Sequence, residues 1–238
     1  MSPYITECPY CGNRLRKRAP KLDREGRPSD KSRRSKRPAP SLGPLRRGEI
    51  PGIRHDARPY ATIAIVLASL ALLVLIKAAV VGLSDVALVF GHFDDPWWHV
   101  LTAPFAYANT GYAFVALFAI AIFGWLIERR HGPLAVIALF LLGGAGGMLA
   151  VAATESFPLA FGGNGAALAL VVAWAIPDLL DVRRNREIDG DLLGAAVIAI
   201  VLLLLPLADQ SADALAGVAG IVAGIVLGYP LARLRGAR

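Results

Sequence analysis

The chain has 238 residues, 55% of them hydrophobic and 18% charged, with a mean hydropathy of +0.53, whereas a soluble domain carries about 25% charge. Residues 1–59 hold 16 Lys/Arg against 6 Asp/Glu, a formal +10, and the remaining 179 residues hold 9 against 12, a formal −3. These numbers exclude a soluble enzyme, a disulfide scaffold (Cys8 and Cys11 are the whole cysteine content) and a DNA-binding globule, and leave an integral membrane protein with a basic extension.

Residues 1–59 are rich in Arg, Lys, Pro and Ser and lack apolar periodicity. Such a segment cannot bury enough surface to offset its ordering entropy, so a disordered basic cytoplasmic tail is expected. No short apolar run follows the first basic residues, so the segment does not read as a signal peptide. Glu7-Cys8-Pro9-Tyr10-Cys11-Gly12 has the form of one zinc-ribbon knuckle. Zinc takes four ligands, so Cys8 and Cys11 form a half-site that a second chain in a homodimer, or another partner, would complete; an unmetallated pair and a redox pair are the alternatives. The stretch from Arg14 to Arg58 is expected to meet anionic membrane lipids, at about 1 kcal/mol per basic residue near the surface. Nothing aromatic or fold-like in it points to nucleic acid.

Six apolar runs follow, at about 60–81, 101–127, 133–153, 161–178, 192–208 and 214–232, each near the roughly 20 residues that cross a bilayer. Arg129 and Arg130 follow the second run, Arg183, Arg184 and Arg186 the fourth, and Arg233, Arg235 and Arg238 the sixth. The other connectors carry only Asp85, Asp94, Asp95, Glu155, Asp209 and Asp213 as charges. The expectation is an all-α membrane protein with six transmembrane helices spanning 60–233 and a short C-terminus at 234–238, lying in a cell membrane with both termini cytoplasmic. The Ala, Arg, Gly and Leu bias points to a bacterial source. Gly143, Gly144, Gly146 and Gly147 crowd the third span, and Gly217, Gly220, Gly224 and Gly228 the sixth. Glycines spaced this way let helix backbones approach closely.

The ordered motifs on these spans resemble the rhomboid intramembrane serine proteases over about residues 60–233. Trp98-His99 stands where that family has a Trp-Arg pair. Gly124-Trp125-Leu126-Ile127-Glu128 with Gly132 matches the end of the family's second span, Gly162-Gly163-Asn164-Gly165 stands where the fourth opens with G-x-S-G, and Gly217 precedes the glycine ladder of the sixth. The resemblance implies a rhomboid-like six-helix bundle. It also marks the departures: Asn164 stands at the nucleophile position, Gly217 at the histidine base, and Tyr112 and Ala116 at the two oxyanion donors.

An Asn amide has no hydroxyl to activate and Gly217 supplies no base, so both members of the family's dyad are missing. No H-E-x-x-H is present for zinc. Ser156 shares a face with His92 and His99 without any spacing that joins them. Asp178, Asp181, Asp189 and Asp191 sit among Arg183, Arg184 and Arg186 and read as a solvated interfacial cluster, not an aspartyl pair. Asn164 either bonds to neighbouring backbone or lines a retained, inactive substrate cavity with Tyr112. The expected function is that of a catalytically inactive pseudoprotease that binds transmembrane segments of client proteins. The alternative is an intramembrane serine endopeptidase with atypical residues. A transporter would want a midplane charge that the spans lack.

Overall fold

The computed structural model describes residues 58–86, 88–89, 97–154, 159–184, 190–209 and 211–236. The tail with Cys8 and Cys11, and the residues His92 and Ser156, lie outside these described residues. Among the described residues there are seven α-helices: α1 (Tyr60–Lys77), α2 (His99–Thr102), α3 (Thr110–His131), α4 (Pro133–Thr154), α5 (Asn164–Arg183), α6 (Leu192–Ala208) and α7 (Ala214–Gly236). Two-residue strands, β1 (Leu88–Val89) and β2 (Leu159–Ala160), pair antiparallel across one end. Helices α1, α3, α4, α5 and α7 are each long and apolar enough to cross a membrane. Helix α6, at 17 residues, spans about 26 Å at 1.5 Å per residue and falls within the same range. The protein is a polytopic, membrane-embedded helical bundle.

The second apolar run departs from expectation. Residues 101–127 are not one helix: α2 passes into a 3-10 turn at Ala103–Phe105, and α3 begins only at Thr110. Pro104 lacks the N–H that a continuing helix needs, and Asn109 starts the new one by accepting from Gly111 N at 2.8 Å and Tyr112 N at 3.4 Å. The first span ends at Lys77, short of residue 81, with Ala79 in the left-handed region at φ +54°. The fourth begins at Asn164 and continues past residue 178 to Arg183.

Helix α5 is the axis of the bundle. It packs on α7, α4, α3 and α6, and two-thirds of its span is buried. Its neighbours come close because the contacts are glycine and alanine. A Cβ at Gly165 would stand 2.6 Å from both the Ala216 and Gly143 carbonyl oxygens, so the backbones of α4, α5 and α7 converge there. Along α7, Gly220 lies on the Gly165 backbone, Gly224 on Ala169 and Gly228 on Ala173. Two rows of three residues at four-residue spacing, one of glycines and one of small residues, run face to face. The third-span glycines divide their work: Gly143 meets α5, Gly144 meets Pro104, Gly147 meets Ala216, and Gly146 has nothing within 4 Å of its Cβ position.

Helix α1 is tied down by a single buried carboxylate. It has no side-chain cap or acidic residue of its own in the first turn. Glu128, 2% exposed near the end of α3, accepts from Ala61 N at 2.9 Å, Thr62 N at 2.8 Å and Thr62 Oγ1 at 2.7 Å. An anion at a helix N-terminus satisfies orphan donors and meets the positive end of the dipole. Gly124, one turn earlier, leaves the room into which Thr62 fits. This contact also fixes polarity: the start of α1 and the end of α3 share one end of the bundle. Arg129 over Trp125 (5.4 Å) and Arg233 over Tyr229 (4.6 Å) cover aromatic faces in the C-terminal turns of α3 and α7.

Two variants separate the glycine seam from mere glycine content. Gly220→Ala drives a methyl into the Gly165 backbone and is expected to cost about 3 kcal/mol. Gly146→Ala meets open space and should gain up to about 1 kcal/mol of helix propensity. Thermal unfolding followed by circular dichroism in lipid reads both. Glu128→Ala leaves two buried N–H groups and a hydroxyl without their acceptor and should cost about 2–4 kcal/mol, with Glu128→Gln milder because one oxygen acceptor remains.

Candidate active site

The N-termini of α3, α5 and α7 meet at the end of the bundle opposite Glu128. Gly162 and Gly163 lead into α5, and both are needed there. Gly162 has φ +96°, which an L side chain rarely adopts, and its Cβ position lies 2.5 Å from the Tyr112 ring. The Cβ position of Gly163 lies 2.6 Å from the Tyr107 hydroxyl. The two glycines admit two buried tyrosines whose rings meet edge to face at 5.2 Å. Tyr107 Oη accepts from Gly163 N at 3.0 Å. Tyr112 Oη accepts from Asn164 N at 3.3 Å and donates to the Phe161 carbonyl at 3.4 Å. Burial pushes the Tyr107 phenol above its ordinary range, so it remains a neutral hydroxyl.

Asn164 opens α5 and is 1% exposed. Its backbone N–H goes to Tyr112, but neither Oδ1 nor Nδ2 has a hydrogen-bond partner among the described residues. Position 217 faces it: a Cβ there would stand 3.3 Å from Asn164 Nδ2 and 3.2 Å from Leu168 Cδ1. The structure thus brings Asn164, Gly217 and Tyr112 together. Ala116, one turn further along α3, is fully buried and contributes only a methyl. Asn164 does not bond to neighbouring backbone through its side chain, which was one of the two readings its position allowed.

Acyl transfer needs an activated nucleophile and N–H donors free to meet a developing oxyanion. Here the N–H groups of Gly163 and Asn164, the first donors of α5, are already bonded to the two phenols. Ser211, the buried serine at the start of α7, donates to Asp209 Oδ1 at 2.5 Å within a two-residue turn. Thr102 Oγ1 donates to the Val86 carbonyl at 2.9 Å. His99 is buried in α2, edge-on to Trp98 at 4.2 Å. Among the described residues no group of three or more His, Cys, Asp or Glu could hold a metal.

The carboxylates at the opposite end do not behave as one solvated cluster. Asp178 is 1% exposed, packed beneath Gly190 beside Trp174, because glycine at 190 lets that connector's backbone lie directly on the carboxyl group. Asp191 caps α6 by accepting from Gly194 N at 2.9 Å. Asp189 lies outside the described residues.

Sequence reasoning missed Tyr107, which sits between helices with no periodicity to mark it, and missed the capping role of Glu128. The Gly162-Gly163 pair was the available signal for the first, since two successive glycines before a helix make room for something large.

A family model described as Rhomboid domain matches residues 94–234. No curated protein matches the chain.

The phenol bonds give a direct test. Tyr107→Phe leaves the buried Gly163 N–H without an acceptor and should cost about 1–3 kcal/mol. Tyr112→Phe, whose bonds are longer, should cost less. The order of the two thermal midpoints checks the assignment.

Proposed function

The chain belongs to the rhomboid family, and from that premise we propose that it is a catalytically inactive member that binds transmembrane segments of client proteins and holds or delivers them. The observation that carries this reading is the environment of Asn164: the residue at the family's nucleophile position is an amide, it faces Gly217 where the base would stand, and its backbone N–H is bonded to Tyr112. Three separate requirements of peptide hydrolysis are then missing at one place. Loss of members of a catalytic unit is not additive, and residual rate then rests on oxyanion donors and binding alone. In this chain those donors are also engaged.

Client binding draws on what the bundle keeps. The helices remain arranged around α5, and α6 buries only Ala195, Leu202 and Leu205. A helix held by so few contacts can move aside for a second helix at small cost. We place the end bearing Arg129, Arg130, Arg183 and Arg233 in the cytoplasm on the charge asymmetry of the connectors.

The test is a cleavage assay in lipid with a generic single-span rhomboid substrate. The wild-type chain should give no product, and Asn164→Ser with Gly217→His should remain near background because the phenols still hold the α5 donors. Adding Tyr112→His and Ala116→Asn, which restores the family's donor types, should produce cleavage. Wild-type product that disappears in Asn164→Ala would show that the chain is an endopeptidase with atypical residues and end the pseudoprotease reading.

A further inference from the structure

Three polar atoms at the Asn164 end of the bundle are buried with no hydrogen bond among the described residues: Asn164 Oδ1, Asn164 Nδ2 and Asp209 Oδ2. They belong to one neighbourhood. Tyr112 holds Asn164 N, and the carboxylates of Asp209 and Asp213 are close enough to act electrostatically on the same phenol. The Asp213 carbonyl accepts from Gly217 N at 3.2 Å, and Gly217 faces the Asn164 amide. Asp209 uses Oδ1 for its turn, accepting from Ser211 N at 2.9 Å and Ser211 Oγ at 2.5 Å, which leaves Oδ2 as a carboxylate oxygen with nothing to receive.

Unpaired polar atoms in an apolar interior are costly, and a charged one more so than a neutral one. Their chemistry also specifies what would satisfy them. A side-chain amide offers a donor and an acceptor side by side, the complement of a backbone peptide group. A lone carboxylate oxygen calls for a cationic N–H. The connectors at this end supply no cation: segments 78–109, 155–163 and 209–213 contain no Lys or Arg, and Lys77 is the one basic residue that a helix brings to this end. Lys77 is exposed at the end of α1, which packs on α3 and α4.

We infer that this end of the bundle is a docking point for the end of a client transmembrane helix that carries a Lys or Arg. The cationic head pairs with Asp209 Oδ2, and a neighbouring peptide group of the client pairs with the Asn164 amide. The inference rests on the reading that the chain binds client transmembrane segments, and it adds the feature by which a client is chosen. Charge complementarity carries it: the connectors at this end hold acidic charges and no Lys or Arg, so a basic client meets attraction and an acidic one repulsion.

The experiment uses the full-length protein in lipid nanodiscs with three single-span reporters carrying a photo-crosslinker. They are identical except for Lys, Gln or Glu at the span end that meets Asp209. The Lys reporter should be captured about tenfold more than the Gln reporter, and the Glu reporter least, as expected for one charge-assisted contact. Asp209→Asn keeps Oδ1 for the Ser211 turn, and should bring capture of the Lys reporter down to that of the Gln reporter in the same variant. Asn164→Leu should lower capture of all three and raise the thermal midpoint of the client-free protein, since an apolar side chain removes two unpaired polar atoms. Equal capture of the three reporters, or a Lys preference that survives Asp209→Asn, overturns the docking point but not client binding. A lowered midpoint in Asn164→Leu overturns the role given to the amide. Capture of no reporter by the wild type overturns the client reading and this inference with it.

Discussion

Everything in the bundle depends on the approach of three backbones at Gly165. Within lipid there is no hydrophobic drive between helices, so association rests on close packing. Gly165 is where three helices meet, with carbonyls of α4 and α7 both 2.6 Å from its Cβ position. The contact then propagates along α7 through Gly220, Gly224 and Gly228, against a row of small residues on α5 at the same spacing. Because the row begins one residue after Asn164, the seam that holds the fold also positions the site. A shift of α7 along α5 would break the seam and separate Gly217 from Asn164 together.

That rigidity holds the start of α5 in place whatever side chains stand there. The N-terminal turn of α5 has donors that must bond to something. In this chain two phenols take them, and Gly162 and Gly163 are the concession that makes room for the rings. The arrangement closes the helix start from within and satisfies it without substrate. Glu128 solves the same problem at the other end for α1, with a carboxylate contributed by α3. Two of the three helix starts that matter most are therefore capped by side chains distant in sequence, which binds α3 to both α1 and α5.

Much of this was legible in the residues. Apolar runs and charge asymmetry placed six helices because bilayer thickness and backbone satisfaction leave few alternatives. The Gly217-Asn164 juxtaposition followed from ordered motifs on the fourth and sixth spans. What escaped detection was what depends on distant contacts. The break at Pro104 and restart at Asn109 were hidden inside a continuous apolar run, because hydropathy does not see a missing N–H. Asp178 read as solvated because charged neighbours surround it in sequence, whereas its burial comes from Gly190 across a connector. Tyr107 carried no pattern at all.

The state of Asn164 bears on what this end of the bundle is for. Leucine has the same branched outline with no polar atom, and replacing an unpaired buried polar group by an apolar one of similar shape is neutral or favourable. The chain instead keeps, at one end, an amide with both ends unbonded among the described residues and a carboxylate with one oxygen likewise unbonded, and the connectors of that end carry no Lys or Arg. Neither is needed to hold the seam, since Gly165 and the α7 glycines do that. The phenols already satisfy the start of α5. Among the described residues the unbonded atoms stabilise nothing, and that is the observation behind the proposed docking of a client there. A packing-only account of this end would predict the opposite composition.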